Sequence, residues 1–100
     1  MVIRLATYHA LPGKDAEGWQ RTTASTARGI QGVRQVEFVR SVEDPLQYGV
    51  LMFFDTQADL DAYKASDTYR DLVQSLQETW ADNSKPVTEQ VFESLAFWDY

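Results

Sequence analysis

Tyr48-Gly49-Val50-Leu51-Met52-Phe53-Phe54 is apolar on both sides, and the reading of the whole chain turns on it. In a strand, successive side chains alternate between faces. Tyr48, Val50, Met52 and Phe54 then point one way, Leu51 and Phe53 the other. An antiparallel strand covered on one side alternates apolar with polar. This one does not, so it belongs in the middle of a sheet with something packed against each face. Burying one large side chain is worth roughly 1.5–3 kcal/mol, and an uncovered apolar face would remain an adhesive patch.

Working outward, Glu43-Asp44-Pro45-Leu46 has turn chemistry, and Val33 to Val42 alternates as the partner strand of a hairpin. Further upstream, Val2 to His9 reads as a first strand, with Ile3, Leu5 and Thr7 on one side and Val2, Arg4, Ala6 and Tyr8 on the other. Leu11-Pro12-Gly13 breaks it. Lys14 to about Arg28 turns helical, with Ala16, Trp19, Thr23 and Ala27 forming a modest apolar stripe and Gly29 and Gly32 offering the stop.

Downstream, Thr56 with Asp59 resembles a capping box and opens a helix through Leu60 and Tyr63. Ser66 restarts it, and Tyr69, Leu72, Val73, Leu76 and Trp80 give the strongest helical periodicity in the chain. Asp82 to Pro86 is a loop, and Val87 to Phe97 a last strand. The order β-α-β-β-α-β predicts an α+β, ferredoxin-like domain over residues 1–100, a four-stranded antiparallel sheet with the first and third strands central. Both helices lie on one face. A second copy of the chain, sheet against sheet, is the simplest cover for the other, giving a homodimer. The edge strands keep Arg34, Arg40, Glu89 and Glu93, as the rim of such an interface would.

The composition narrows the function. With no cysteine there are no disulfides, thiolate metal sites or cysteine nucleophiles. The net charge of -6 is concentrated beyond residue 40 and disfavours nucleic acid and anionic membranes as partners. No apolar run approaches the ~20 residues of a membrane span, and the first residues alternate rather than form a signal peptide's apolar stretch. A cytoplasmic protein is expected. RNA-recognition domains share this topology and expose aromatics on the sheet. Here the leading basic residue and glycine register of their motif are missing, and the charge has the wrong sign.

His9 is the only histidine, and ends the first strand where a pocket mouth could lie. It is the candidate general base for a phenolic proton, against the plainer reading of an exposed loop residue. No metal is expected, because one histidine among scattered carboxylates has no ligand spacing. Tyr8, Tyr63, Trp19 and Trp80 are candidates to line an aromatic ligand's pocket, and equally explicable as core aromatics. Arg4 and Arg40 are candidates to stabilise an enolate or phenolate, or else rim salt bridges. The aromatic stretch Phe97-Trp98-Asp99-Tyr100 is expected to pack on the partner subunit.

Several short segments resemble a known group. Pro12-Gly13-Lys14 follows the first strand, Gly32-Val33 enters the second, and Arg40-Ser41-Val42-Glu43-Asp44-Pro45 spans the hairpin. Phe54-Asp55-Thr56 with Leu60, Ala62-Tyr63 and Ser66 follows the third strand. Together they resemble the dimeric α/β-barrel superfamily and, within it, the antibiotic biosynthesis monooxygenase-like proteins. The resemblance implies a ligand pocket between sheet and helices, and Tyr63 stands where many relatives place histidine or tryptophan. It implies cofactor-independent monooxygenation of a small aromatic or quinol-type compound, with no cofactor. A non-catalytic or stress-related binding protein and a small-metabolite isomerase are the alternatives. The haem-degrading branch uses a histidine near Thr68 to Val73 and an asparagine on the first strand, and this chain has neither.

Overall fold

The computed structural model describes residues 1–100. Strands β1 (Val2–His9) and β3 (Gln47–Phe54) run antiparallel through the centre of one sheet, with β2 (Val33–Arg40) and β4 (Thr88–Glu93) at its edges. The order is β2-β3-β1-β4, with every neighbouring pair antiparallel. Helices α1 (Ala16–Ala27), α2 (Gln57–Lys64) and α3 (Asp67–Ser75) complete the expected ferredoxin-like arrangement, the second helical segment being split in two.

Side-chain alternation decides which face the helices cover. Val2, Arg4 and Tyr8 of β1, and Val50, Met52 and Phe54 of β3, are buried. Phe54, Met52 and Leu60 are almost wholly enclosed. On the opposite face a row runs Phe92–Ile3–Phe53 across three strands, with Leu5 and Leu51 paired beside it. Nothing in this chain covers that face, and Phe92 is 48% exposed.

Each helix starts on a side chain that accepts an orphan backbone N–H. Asp15 accepts from Gly18 at 3.0 Å, Thr56 from Asp59 at 3.1 Å and Ser66 from Tyr69 at 3.2 Å. The turn into β2 needs glycine at residue 32, where φ is +80° and a Cβ would lie 2.3 Å from the Asp59 carboxyl carbon. Gly29 has no positive φ.

Several boundaries differ from the expectation, among them the start of α1 at Ala16 rather than Lys14. Strand β2 ends at Arg40 rather than Val42, because the Ser41 hydroxyl accepts the N–H groups of Glu43 and Asp44 and turns the chain. Strand β4 ends at Glu93 rather than Phe97. Its ladder partner β1 runs out there, and the Ser94 N–H donates to Met1 O as the last rung. Beyond it Leu95, Phe97, Trp98 and Tyr100 are all more than 70% exposed. Finally, α3 does not continue as α-helix to Trp80. Leu76–Trp80 widens into a π turn in which Ala81 N–H reaches Leu76 O at 2.8 Å. That turn brings Ala81 back to bridge Ala10 at the end of β1. No helix is long and apolar enough to cross a membrane.

Candidate functional site

Between the covered face of the sheet and the helices lies a cavity of about 280 Å³. Arg4, Ala6 and Tyr8 of β1 and Val50 and Met52 of β3 form its floor. Trp19 and Thr23 of α1, Tyr63 of α2 and Tyr69, Leu72 and Val73 of α3 form its walls, Leu76 and Gln77 of the π turn close one side, and Glu89 of β4 stands at the edge. A widened turn often occurs at such sites, since it re-aims side chains that a regular helix would carry past.

Two aromatic clusters flank the space. Tyr8 meets Trp19 edge-on at 5.3 Å and stacks on Tyr48 at 5.8 Å, while Trp19 also meets Phe38 at 6.4 Å. On the other side Tyr63 contacts Phe54 at 5.6 Å and Tyr69 at 5.2 Å. Burial, reinforced by neighbouring Tyr48, pushes the Tyr8 hydroxyl up to about 12. Burial raises Tyr63 as well, with Arg4 opposing and Tyr69 adding to the rise. Both phenols therefore stay protonated near neutral pH.

Arg4 is the one cation on the cavity wall and is only 8% exposed. A buried charge is tolerable only when paired. Its Nε and one terminal nitrogen both lie 3.0 Å from Glu89 Oε2, and its guanidinium sits 5.4 Å from the centre of the Tyr69 ring. Lys64 Nζ binds the other Glu89 oxygen. Burial alone would raise the Glu89 carboxyl, but its hydrogen bond from Lys64 and the charge and hydrogen bond of Arg4 outweigh that and hold it below the usual range.

A carboxyl so lowered stabilises the fold above its unfolded pKa, and the contribution is lost as pH falls through the lowered value. Thermal midpoints measured from pH 7 down to pH 3 should therefore fall less steeply in Glu89→Gln than in wild type. Equal slopes would show that the Arg4–Glu89–Lys64 cluster carries no such linkage.

Three residues that line this cavity each carry a fully buried polar atom with no partner in the protein: Tyr8 Oη, Trp19 Nε1 and Thr23 Oγ1. Leaving a buried polar group unpaired costs about 1–3 kcal/mol. The helix offers Thr23 a local remedy that it does not take. Its exposed neighbour Thr22 donates to the carbonyl one turn back, Gly18 O, at 3.1 Å, whereas Thr23 makes no such bond.

Of the residues expected at the site, Tyr8, Trp19 and Tyr63 do come together here, joined by Arg4. His9, Trp80 and Arg40 do not line it. His9 follows Tyr8 and so points to the opposite face of the sheet, where its Nε2 lies 3.2 Å from Asp44 Oδ2. Trp80 packs partly buried against the core from the end of the π turn. Arg40 pairs with Tyr48 at the end of edge strand β2 and is exposed.

From the sequence Tyr69 and Thr23 read only as helix-stripe residues and Glu89 as part of an interface rim, whereas Glu89 sits opposite Ala6 on the covered side and holds Arg4. The available signals were a threonine inside an apolar helix stripe and an arginine on the buried side of a central strand, each needing a polar partner. No group of three or more His, Asp or Glu side chains is placed to hold a metal ion.

The architecture recurs in solved structures. Rv0793 from Mycobacterium tuberculosis superposes with a TM-score of 0.77 at 16% identity, covering 98% of each chain. A conserved protein from Methanosarcina mazei gives 0.73 at 17% identity, covering 95% of this chain and 94% of its own. SnoaB, a cofactor-independent oxygenase from Streptomyces nogalater, gives 0.73 at 10% identity, covering 96% of this chain and 94% of its own. These identities establish the shared fold alone. No curated protein matches the chain. The family model for antibiotic biosynthesis monooxygenases, however, matches residues 1–75, the stretch holding β1 through α3 and most of the cavity. The chain belongs to the antibiotic biosynthesis monooxygenase family.

Proposed function

We propose that the chain is a single-domain, cofactor-independent monooxygenase acting on a small aromatic or quinol-type compound held in the cavity between sheet and helices. The observation that carries this reading is a buried cation, Arg4, on the wall of an otherwise largely apolar, aromatic-lined cavity. A ring system would fill the apolar space, and an enolate or phenolate formed from it would lie against the guanidinium in a low-dielectric setting, where such stabilisation is strongest. A substrate carbanion can itself reduce dioxygen. At an activated methylene, two C–H bonds give way to one C=O, one oxygen atom enters the product and the other leaves as water. The protein supplies the apolar cavity, the cation and orientation.

Saturable oxygen uptake by the purified, chelator-treated protein with hydroquinones, anthrones or flavonols, lost in Arg4→Met, is the expected result. Absence of uptake across that panel would remove the oxygenase reading. A binding role without turnover is favoured by one specific observation. Glu89, the only carboxylate on the wall, is held by two cations and is a weak base. In that case ligand would bind without oxygen uptake.

We further propose a homodimer formed through the open sheet face, on the row Phe92–Ile3–Phe53 and the pair Leu5–Leu51. The exposed aromatic residues 97–100 would pack on the partner. Truncation after Leu95 should then weaken the dimer, as measured by sedimentation at decreasing concentration.

A further inference from the structure

Arg4 uses only one edge of its guanidinium on Glu89. Nε and Nη2 both reach Glu89 Oε2 at 3.0 Å, and the Tyr69 ring lies 5.4 Å from the guanidinium carbon. The other terminal nitrogen, Nη1, makes no hydrogen bond within the protein and is not fully buried, unlike the polar atoms of Tyr8, Trp19 and Thr23. Arg4 borders the cavity and exposes only 8% of its surface. Tyr63 is alike. It stands on the cavity wall at 5% exposed, and its hydroxyl has no partner in the protein yet is not fully buried. The two residues are neighbours, because the Tyr69 ring that carries the guanidinium also meets the Tyr63 ring at 5.2 Å. The Arg4 charge acts on the Tyr63 hydroxyl, opposing its rise.

The charges here do not balance. Glu89 gives one oxygen to Arg4 and the other to Lys64, so the three groups together carry one positive charge in excess. No other charged side chain lines the cavity. Guanidinium N–H groups only donate, and a protonated phenol can donate as well. A carboxylate has two oxygens to receive such donors, and bonds assisted by charge are roughly twice as strong as neutral ones.

We infer that Arg4 and Tyr63 form a carboxylate subsite, and that the ligand is a compact aromatic acid already ionised when it enters. The apolar remainder of the cavity takes the rings, and about 280 Å³, below the ~300–1,000 Å³ typical of ligand pockets, limits their number. Glu89 and Tyr69 position Arg4, and Lys64 supplies the excess charge. This assignment rests on the cavity being the ligand site proposed above. It makes Arg4 an anchor for a charge that the ligand brings, rather than for one created in a reaction.

Calorimetric titration at pH 7 with 1-naphthoate and with 1-naphthamide, its uncharged counterpart, isolates the charge from the rings. Wild type should bind the acid at least about tenfold more tightly than the amide. Arg4→Met should abolish that preference. Tyr63→Phe removes no bond within the protein, so it should melt close to wild type. It should reduce the preference by about three- to tenfold, the charge-assisted bond being the stronger one lost. This second variant keeps the test intact if Arg4→Met, which strips Glu89 of a partner, fails to fold.

The assignment is overturned if wild type binds neither compound, if it binds the two alike, or if Tyr63→Phe keeps the full preference. Preference for the acid that depends on Tyr63, in a protein that consumes no oxygen, would uphold the subsite and remove only the oxygenase reading. Oxygen uptake with neutral quinols that 1-naphthoate fails to inhibit would do the reverse.

Discussion

Phe54→Ala should destabilise the fold by about 3–5 kcal/mol, the usual cost of emptying a fully enclosed phenylalanine site. Phe54 is 0% exposed, lies on the covered face of β3 opposite Val2 and packs 5.6 Å from the Tyr63 ring. Its neighbours are held by helix α2 and the central strand β1, which limits how far they can collapse into the void. Domains of this size typically have only about 5–15 kcal/mol of stability, so much of it would go. Chemical denaturation should show the midpoint falling with little change in slope. A loss below about 1 kcal/mol would mean that this part of the core repacks freely. Tyr63 would also lose its support on the cavity wall.

Phe53→Glu, one residue earlier, should do something different. Phe53 lies on the open face, beside Ile3 in the row that continues to Phe92. In a monomer the new carboxylate would point to water and the core would be untouched. In the proposed dimer it would place a charge from each subunit near the middle of an apolar interface. Stranding an unpaired charge in such a place costs several kcal/mol, and the like charges add to it. The expected result is a folded monomer at concentrations where wild type sediments as a dimer, with the secondary structure unchanged by circular dichroism. A variant that stays dimeric would move the interface away from this face. One that unfolds would show that the subunit cannot stand without its partner.

This contrast between adjacent residues also measures how much was legible beforehand. Period-two alternation in Val2 to His9 and Gln47 to Phe54, the turn chemistry between β2 and β3, and the capping residues Thr56 and Ser66 are local properties. They specified the element order and the antiparallel sheet with its first and third strands central. Strand ends were less legible, because β4 stops where β1 stops offering it hydrogen bonds. The π turn was hidden for a similar reason, since Leu76 to Trp80 carries the spacing of an ordinary helix and departs from it where the chain returns to Ala10.

Residue chemistry named Tyr8, Trp19, Tyr63 and Trp80 as candidate pocket aromatics, and the first three line the cavity while Trp80 does not. It also named His9, the only histidine, without knowing which way the side chain pointed. Alternation allows Tyr8 and His9 only opposite faces, but does not say which face the helices cover. That choice depends on how α1, α2 and α3 pack over the sheet. Packing put Arg4 inside, paired with Glu89 at the β4 edge, and sent His9 to the side of Asp44. The sequence by itself determined the sheet, its order and its two apolar faces, since these follow from local periodicity and turn chemistry. Only the tertiary structure decided which face became the cavity and which polar atoms were left unpaired there, because both depend on contacts between residues far apart in the chain.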